Sequence, residues 1–241
     1  MNIYTELVQS KAISQKRIAI LLDPEKLELH SMDSLIFKII SSPATYIFIG
    51  GSTYEGNGLD KIIYKIHEII RSSDRLIPII LFPGNLNQIS NEAEGILFLQ
   101  LLSGRNPDYL INFQVEAVPY LEKTSLEIIS TGYILIESGN ETSVALISKT
   151  KPLSIDKPDY IAQTAKAGEM IGNKLIYLEA GSGAKNAIPL EIIRKVSNRI
   201  SIPLIIGGGI RSKKQIDDVF SAGADIVVIG TAFENDINFF D

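Results

Sequence analysis

Cysteine and tryptophan are absent from this chain, and histidine occurs only twice, at His30 and His67. Without cysteine there are no disulfides, no thiolate metal sites and no cysteine nucleophile. Two histidines without metal-ligand spacing leave a zinc hydrolase without its ligands and acid–base chemistry without its usual imidazole. No apolar run approaches the roughly eighteen residues that read as a membrane span. Residues 1–14 carry Glu6 and Lys11 in an amphipathic pattern and lack a small-residue cleavage site, so they do not read as a secretory signal, and a cytoplasmic location is expected. Positive charge is also short: 23 Lys and Arg face 28 Asp and Glu, for a formal net charge of −5. With no basic patch interleaved with aromatics, nucleic acid is not an expected partner.

What remains is a chain of 241 residues, 45% hydrophobic and 21% charged. That length suits one domain over residues 1–241 and lies close to the roughly 250 residues of a (β/α)8 barrel. The organising stretch is Pro203 to Arg211, Pro-Leu-Ile-Ile-Gly-Gly-Gly-Ile-Arg, followed by Ala224 to Ala232, Ala-Asp-Ile-Val-Val-Ile-Gly-Thr-Ala. Each is a short apolar run ending in glycine, and Ser212 to Ala222 between them has helical spacing. Runs apolar on both faces suit parallel strands beneath helices. Glycines at their carboxyl ends let backbone N–H groups approach an anion. A phosphate cup after the last two strands of a (β/α)8 barrel is the resulting expectation, with turn punctuation as the plainer alternative.

The rest of the chain fits that frame. Asn2 to Ser14 reads as a helix with Ile3, Leu7, Val8 and Ala12 on one face, closing the amino-terminal end of the barrel. Ile18 to Leu22 is the first strand and runs into Asp23-Pro24-Glu25-Lys26; Asp23 is either a turn cap or a carboxylate in the barrel mouth. The second strand, Thr45 to Ile49, leads into Gly50-Gly51-Ser52-Thr53, where the hydroxyls are suitable oxygen donors for Mg2+ or diphosphate. Only Leu86 to Glu94 separates the third strand, Pro78 to Phe82, from the fourth, Gly95 to Leu101, so the third helix should be shortened or missing. Pro107 opens a helix to about Tyr120, and the fifth strand is expected near Tyr133 to Ile136. Gly139 to Asp156 is a long polar connection, a candidate lid or oligomer contact. Lys157 to Ile171 reads as a helix, Leu175 to Leu178 as the sixth strand and Ile188 to Ile200 as a further helix. Glu179 then precedes Gly181-Ser182-Gly183, on the same expected face as Asp23 and the glycine cup.

The inventory is two separated carboxylates, hydroxyl donors and glycine-rich anion sites, with no lysine inside a strand to form a Schiff base. It suits a diphosphate leaving group held with Mg2+ on Asp23, beside a second substrate bearing a phosphate, with Glu179 orienting or deprotonating a hydroxyl. Two alternatives share these residues. One is a phosphate-binding barrel isomerase or lyase that uses Asp23 and Glu179 as an acid–base pair, and the other is a non-enzymatic binder of phospholipid head groups.

On these motifs the sequence resembles the geranylgeranylglyceryl phosphate synthases and their heptaprenylglyceryl phosphate relatives. Leu22 to Lys26 is similar to the family's Asp-Pro metal motif and Ile49 to Ser52 to its second Mg2+ element. Tyr177 to Gly183, Tyr-Leu-Glu-Ala-Gly-Ser-Gly, is similar to its glycerol-phosphate motif, and Gly207 to Arg211 with Gly230-Thr231 to its phosphate cup. The resemblance runs from about Ile18 to Phe233 and departs at Leu21 and Leu22, where some members carry a lysine, and at Thr231, where many carry asparagine. It implies transfer of a long prenyl group, most simply geranylgeranyl, from its diphosphate to the 3-hydroxyl of sn-glycerol 1-phosphate. Asp23 and Ser52 would hold Mg2+, with Thr53 as the alternative to Ser52. Tyr177, Leu178, Glu179, Ala180, Gly181, Ser182, Gly183, Gly208, Gly209, Gly230 and Thr231 would surround the glycerol phosphate, with Glu179 activating its hydroxyl. Tyr54, Phe82, Phe98, Tyr109, Leu110 and Tyr133 are candidates for a prenyl groove, with Tyr109 or Leu110 limiting chain length. A homo-oligomer and a transient contact with a membrane surface are the expected associations.

Overall fold

The structure, a computed structural model, describes residues 2–28, 31–52 and 54–241. His30 and Thr53, the alternative metal donor, lie outside the described residues. Eight parallel strands close into a barrel in sequence order: β1 (Arg17–Leu22), β2 (Tyr46–Ile49), β3 (Ile79–Leu81), β4 (Gly95–Leu101), β5 (Glu127–Leu135), β6 (Leu175–Glu179), β7 (Leu204–Gly207) and β8 (Ile226–Ile229). The helices are α1 (Ile3–Ala12), α2 (Met32–Ser41), α3 (Leu59–Arg71), α4 (Phe113–Leu121), α5 (Ser143–Ser148), α6 (Pro158–Met170), α7 (Leu190–Ser197), α8 (Lys213–Ser221) and α9 (Thr231–Asn235). This is the expected (β/α)8 barrel with an N-terminal helix.

Two apolar cores follow from the two-residue period of a strand. Ile20, Leu22, Ile47, Ile49, Leu178 and Ile206 point outward beneath the helices, where α3 answers with Leu59, Ile63, Ile66 and Ile70 along one stripe. Ala19, Phe48, Leu97, Tyr133, Tyr177 and Ile205 point inward and fill the barrel. Ile3 and Leu7 of α1 join the inner core from below. Glu127, the first residue of β5, accepts the Ile3 and Tyr4 N–H groups at 2.5 and 2.8 Å. Its carboxylate thus sits on otherwise unpaired donors at the positive end of α1 and fastens the plug.

Between β3 and β4 there is only one turn of 3-10 helix, Leu86–Gln88, in place of a third barrel helix, as the short spacing predicts. Three expectations are corrected. β5 starts at Glu127 rather than near Tyr133, because Ser130 bonds Asn173 across to the next segment and Thr131 bonds the Ile129 carbonyl, so its polar residues do not interrupt the strand. Val8 is 41% exposed and Ala12 is exposed too, so neither takes part in the plug face, because the inward stripe of α1 runs through Ile3, Leu7 and Ser10. The helix after Pro107 begins as a π-helical turn, Asp108–Asn112, before α4. The polar connection over 139–156 holds α5 and a parallel bridge from Leu153 to Ile136.

Candidate active site

All the glycine-rich exits open on one face, around a cavity of about 1070 Å3. β6 ends on Glu179, whose register partners are Leu135 of β5 and Gly207 of β7. The side chain is almost fully enclosed, and Oε1 accepts the Gly181 N–H at 2.5 Å. Burial pushes the Glu179 carboxyl up from its ordinary 4.5 to about 7, against the opposing pull of that N–H and of the Tyr177 hydroxyl. A carboxylate poised near neutrality is a suitable general base. Tyr177 lies directly across from Tyr133 and is completely buried, its hydroxyl lacking a hydrogen-bond partner of good geometry. Burial, with the Glu179 charge adding to it, raises both phenols and keeps them neutral.

The glycines of β7 are there because no side chain fits. A Cβ on Gly207 would lie 2.2 Å from the Tyr177 hydroxyl. One on Gly208, whose φ is +84°, would lie 2.5 Å from Glu179 Oε1 and 2.7 Å from the Gly181 nitrogen. Gly181, Ser182, Gly183, Gly208, Gly209, Gly230 and Thr231 all line the cavity together with Tyr177 and Glu179. Leu178 and Ala180 do not. Their side chains join the outer core beneath the helices, since alternate residues of a strand face opposite sides. They support the site from behind, and Ala180 contributes its N–H to the Gly207 carbonyl.

Across the mouth, Asp23 caps the turn after β1 by accepting the Glu25 N–H at 3.1 Å, so the cap reading and the mouth reading both hold. Gly51 passes so close that a Cβ there would sit 2.6 Å from Asp23 Oδ1. Ser52 lies beside it in the cavity wall. Lys26 stands 3.8 Å from Asp23 and 2.7 Å from Glu234 of α9. Among the described residues no group of three or more His, Cys, Asp or Glu side chains could cage an ion. A single carboxylate with a hydroxyl nonetheless fits Mg2+, which is commonly held by one or two carboxylates plus substrate phosphates and water.

From there the cavity runs into an apolar arm walled by Phe82, Phe98, Tyr109, Phe113, Val144 and Ile147. Tyr109 bonds the Ile147 carbonyl at 3.3 Å and packs edge-on against Phe113, closing one part of that wall. Two groove candidates fall away: Tyr54 is buried in the outer core and donates nothing to the wall, and Leu110 does not face the cavity.

Gln88 and Thr142 are absent from the sequence expectations, and Arg211 enters them only as the end of the phosphate-cup motif. Gln88, fully buried, accepts the Gly51 and Gly84 N–H groups at 3.1 Å each and donates to the Gly51 carbonyl at 2.6 Å, pinning the loop that carries Ser52. Arg211 donates to the carbonyls of Ala184 and Lys185, tying the β6 loop to the β7 loop. Thr142, the buried N-cap of α5, packs against Gly181. A short polar stretch offers no signal for the bonds of Gln88 and Thr142, whereas Arg211 closes the Gly207 to Arg211 motif.

Comparison with known proteins agrees with this geometry. The PcrB family model matches residues 11–240. The chain is 54% identical over 240 residues to a geranylgeranylglyceryl phosphate synthase of Flavobacterium johnsoniae, covering 100% of this chain and 97% of that protein. It is 38% identical over 218 residues to the synthase of the same name from Methanothermobacter marburgensis, covering 90% and 86%. The crystal structure of (S)-3-O-geranylgeranylglyceryl phosphate synthase from Thermoplasma acidophilum, in complex with sn-glycerol-1-phosphate, superposes with a TM-score of 0.91 at 27% identity, over 100% of this chain and 94% of that one. With near-complete coverage by the family model and by relatives of this identity, the chain belongs to the PcrB family.

Proposed function

We propose that this protein transfers a geranylgeranyl group from its diphosphate to the 3-hydroxyl of sn-glycerol 1-phosphate, releasing diphosphate and an ether-lipid precursor. The observation that carries the reading is one cavity lined by a glycine cup, a buried carboxyl near neutrality, the Asp23 carboxylate and a set of apolar side chains. A small anion, a hydroxyl, a diphosphate and a lipid tail are the four things such a cavity accommodates. Likeness to a barrel crystallised with sn-glycerol-1-phosphate supports the acceptor.

In this reading the acceptor phosphate rests on the backbone N–H groups of Gly208, Gly209, Gly230 and Thr231, with Ser182 and Gly183 closing over it. Tyr177 lies beneath the glycerol, its hydroxyl directed at Glu179. Glu179 accepts the proton of the 3-hydroxyl as the ether bond forms. Asp23 and Ser52 would hold Mg2+, which when bound neutralises charge on the departing diphosphate. Lys26 and Arg211 are the cations among the described residues lining the cavity. Both are engaged, Arg211 with backbone carbonyls and Lys26 with Glu234; the exposed Lys26, beside Asp23, is the one placed to turn to the diphosphate.

A transfer assay with labelled sn-glycerol 1-phosphate and prenyl diphosphates of several lengths, with and without Mg2+, tests the proposal. Extractable lipid that requires the metal and collapses in Asp23→Asn and Glu179→Gln is the expected result. Folded protein that makes no lipid from any donor would refute it. A cytoplasmic homo-oligomer with transient membrane contact completes the proposal, supported by the exposed Ile111, Val115, Val118 and Tyr120 on and beside α4. Light scattering that gives a monomer mass, and failure to sediment with vesicles, would count against those two parts.

A further inference from the structure

Transfer needs an electron-poor carbon to travel from one end of the cavity to the other. The diphosphate end is built by Asp23, Gly51 and Ser52, and the hydroxyl end by Tyr177 and Glu179. Phe82 belongs to both. Its N–H donates to the Ile49 carbonyl at 2.8 Å, and its own carbonyl lies so close to Gly50 that a Cβ there would be 1.8 Å away. The backbone of Phe82 is thereby fixed to the loop of the diphosphate end. Its ring reaches the other end and stacks on Tyr177, with centroids 5.2 Å apart and planes 3° apart. Tyr133 and Phe48 brace it at 5.8 and 6.5 Å. Tyr133 and Tyr177 are buried at 5% and 0% exposure, whereas Phe82 is only partly buried and lines the cavity. The cations in the cavity wall, Lys26 and Arg211, have the wrong sign to steady a positive carbon.

Resting on the prenyl-transfer reading, we propose that Phe82 is a further catalytic residue, its ring in the cavity wall receiving the allylic C1 of the prenyl donor and stabilising the positive charge that builds there. The bond from C1 to the diphosphate oxygen breaks, and its electron pair stays with the diphosphate. The deficit spreads over the allylic carbons against the negative face of the ring. A lone pair of the glycerol 3-oxygen then forms the new bond to C1, and the hydroxyl proton passes to the Glu179 carboxylate. Tyr177 and Tyr133 act as positioning residues that hold the ring in place.

Incorporation of mono-, di- and trifluorinated phenylalanine at position 82 tests this, because fluorine drains the ring face while leaving its size nearly unchanged. Single-turnover transfer from geranylgeranyl diphosphate should fall stepwise, by on the order of 10- to 100-fold at the trifluorinated ring, with donor affinity unchanged. Phe82→Leu should lose at least as much, and Phe82→Tyr should recover most of the rate. A rate that stays flat across the fluorinated series, or a Phe82→Leu enzyme as fast as the parent, overturns the proposal while leaving prenyl transfer intact. Absence of product from the unmodified protein would instead refute prenyl transfer itself.

Discussion

Glu179 concentrates most of the chemistry in one side chain. Free-enzyme kcat/KM for the glycerol phosphate should rise with pH through about 7, the value to which burial pushes this carboxyl. Glu179→Gln should remove that limb and cost about 100- to 10,000-fold in rate, as measured by a pH series of initial rates. Stability should move the other way. Because the folded state holds this proton to a higher pH than the unfolded chain does, its advantage is full below about pH 4.5 and is lost as pH rises through about 7. Glutamine can still accept the Gly181 N–H and carries no charge to bury. The variant should therefore melt higher than the parent at pH 8 by an amount that shrinks toward pH 5, on the order of 3 kcal/mol at most. An unchanged gap across that range would mean that Glu179 titrates normally.

At the scale of the element, the missing third helix is replaced by a bond network. The single turn Leu86–Gln88 does through one amide what a helix would do by packing. Gln88→Leu should destabilise the fold by about 1–3 kcal/mol, since three backbone groups lose their partner in a dry place. It should also raise KM for the prenyl diphosphate more than for glycerol phosphate, read by varying each substrate in turn. The tail arm has its own test. Tyr109 links its segment to α5 through the Ile147 carbonyl, and Tyr109→Ala should shift the products toward longer chains in a mixed-donor assay. A donor preference identical to the parent's would show that the arm is limited elsewhere.

For the molecule as a whole, much was legible because a buried parallel strand is a continuous apolar run and its functional end is punctuated by glycine or a carboxylate. Asp23, Glu179 and the Gly207–Gly209 turn were readable on that ground, as was the short β3 to β4 spacing. Leu178 and Ala180 were misplaced by taking a motif as one block, where the strand period sends alternate residues outward. The extent of β5 was missed because Ser130 and Thr131 look like a turn until their bonds to Asn173 and Ile129 are seen. Gln88 and Arg211 act on backbone groups 37 and 27 residues away, and no local pattern encodes such reach.

The plug made by Ile3, Leu7 and Glu127 leaves the cavity blind at its lower end. Solvent filling it, on the order of tens of molecules, can leave only through the mouth by which the lipid donor enters. Donor binding is thus an exchange of confined water for hydrocarbon, and its thermal signature should be a markedly negative heat-capacity change. Titration calorimetry at several temperatures would read it, with glycerol phosphate alone giving a much smaller slope because it is small and polar and buries little apolar surface.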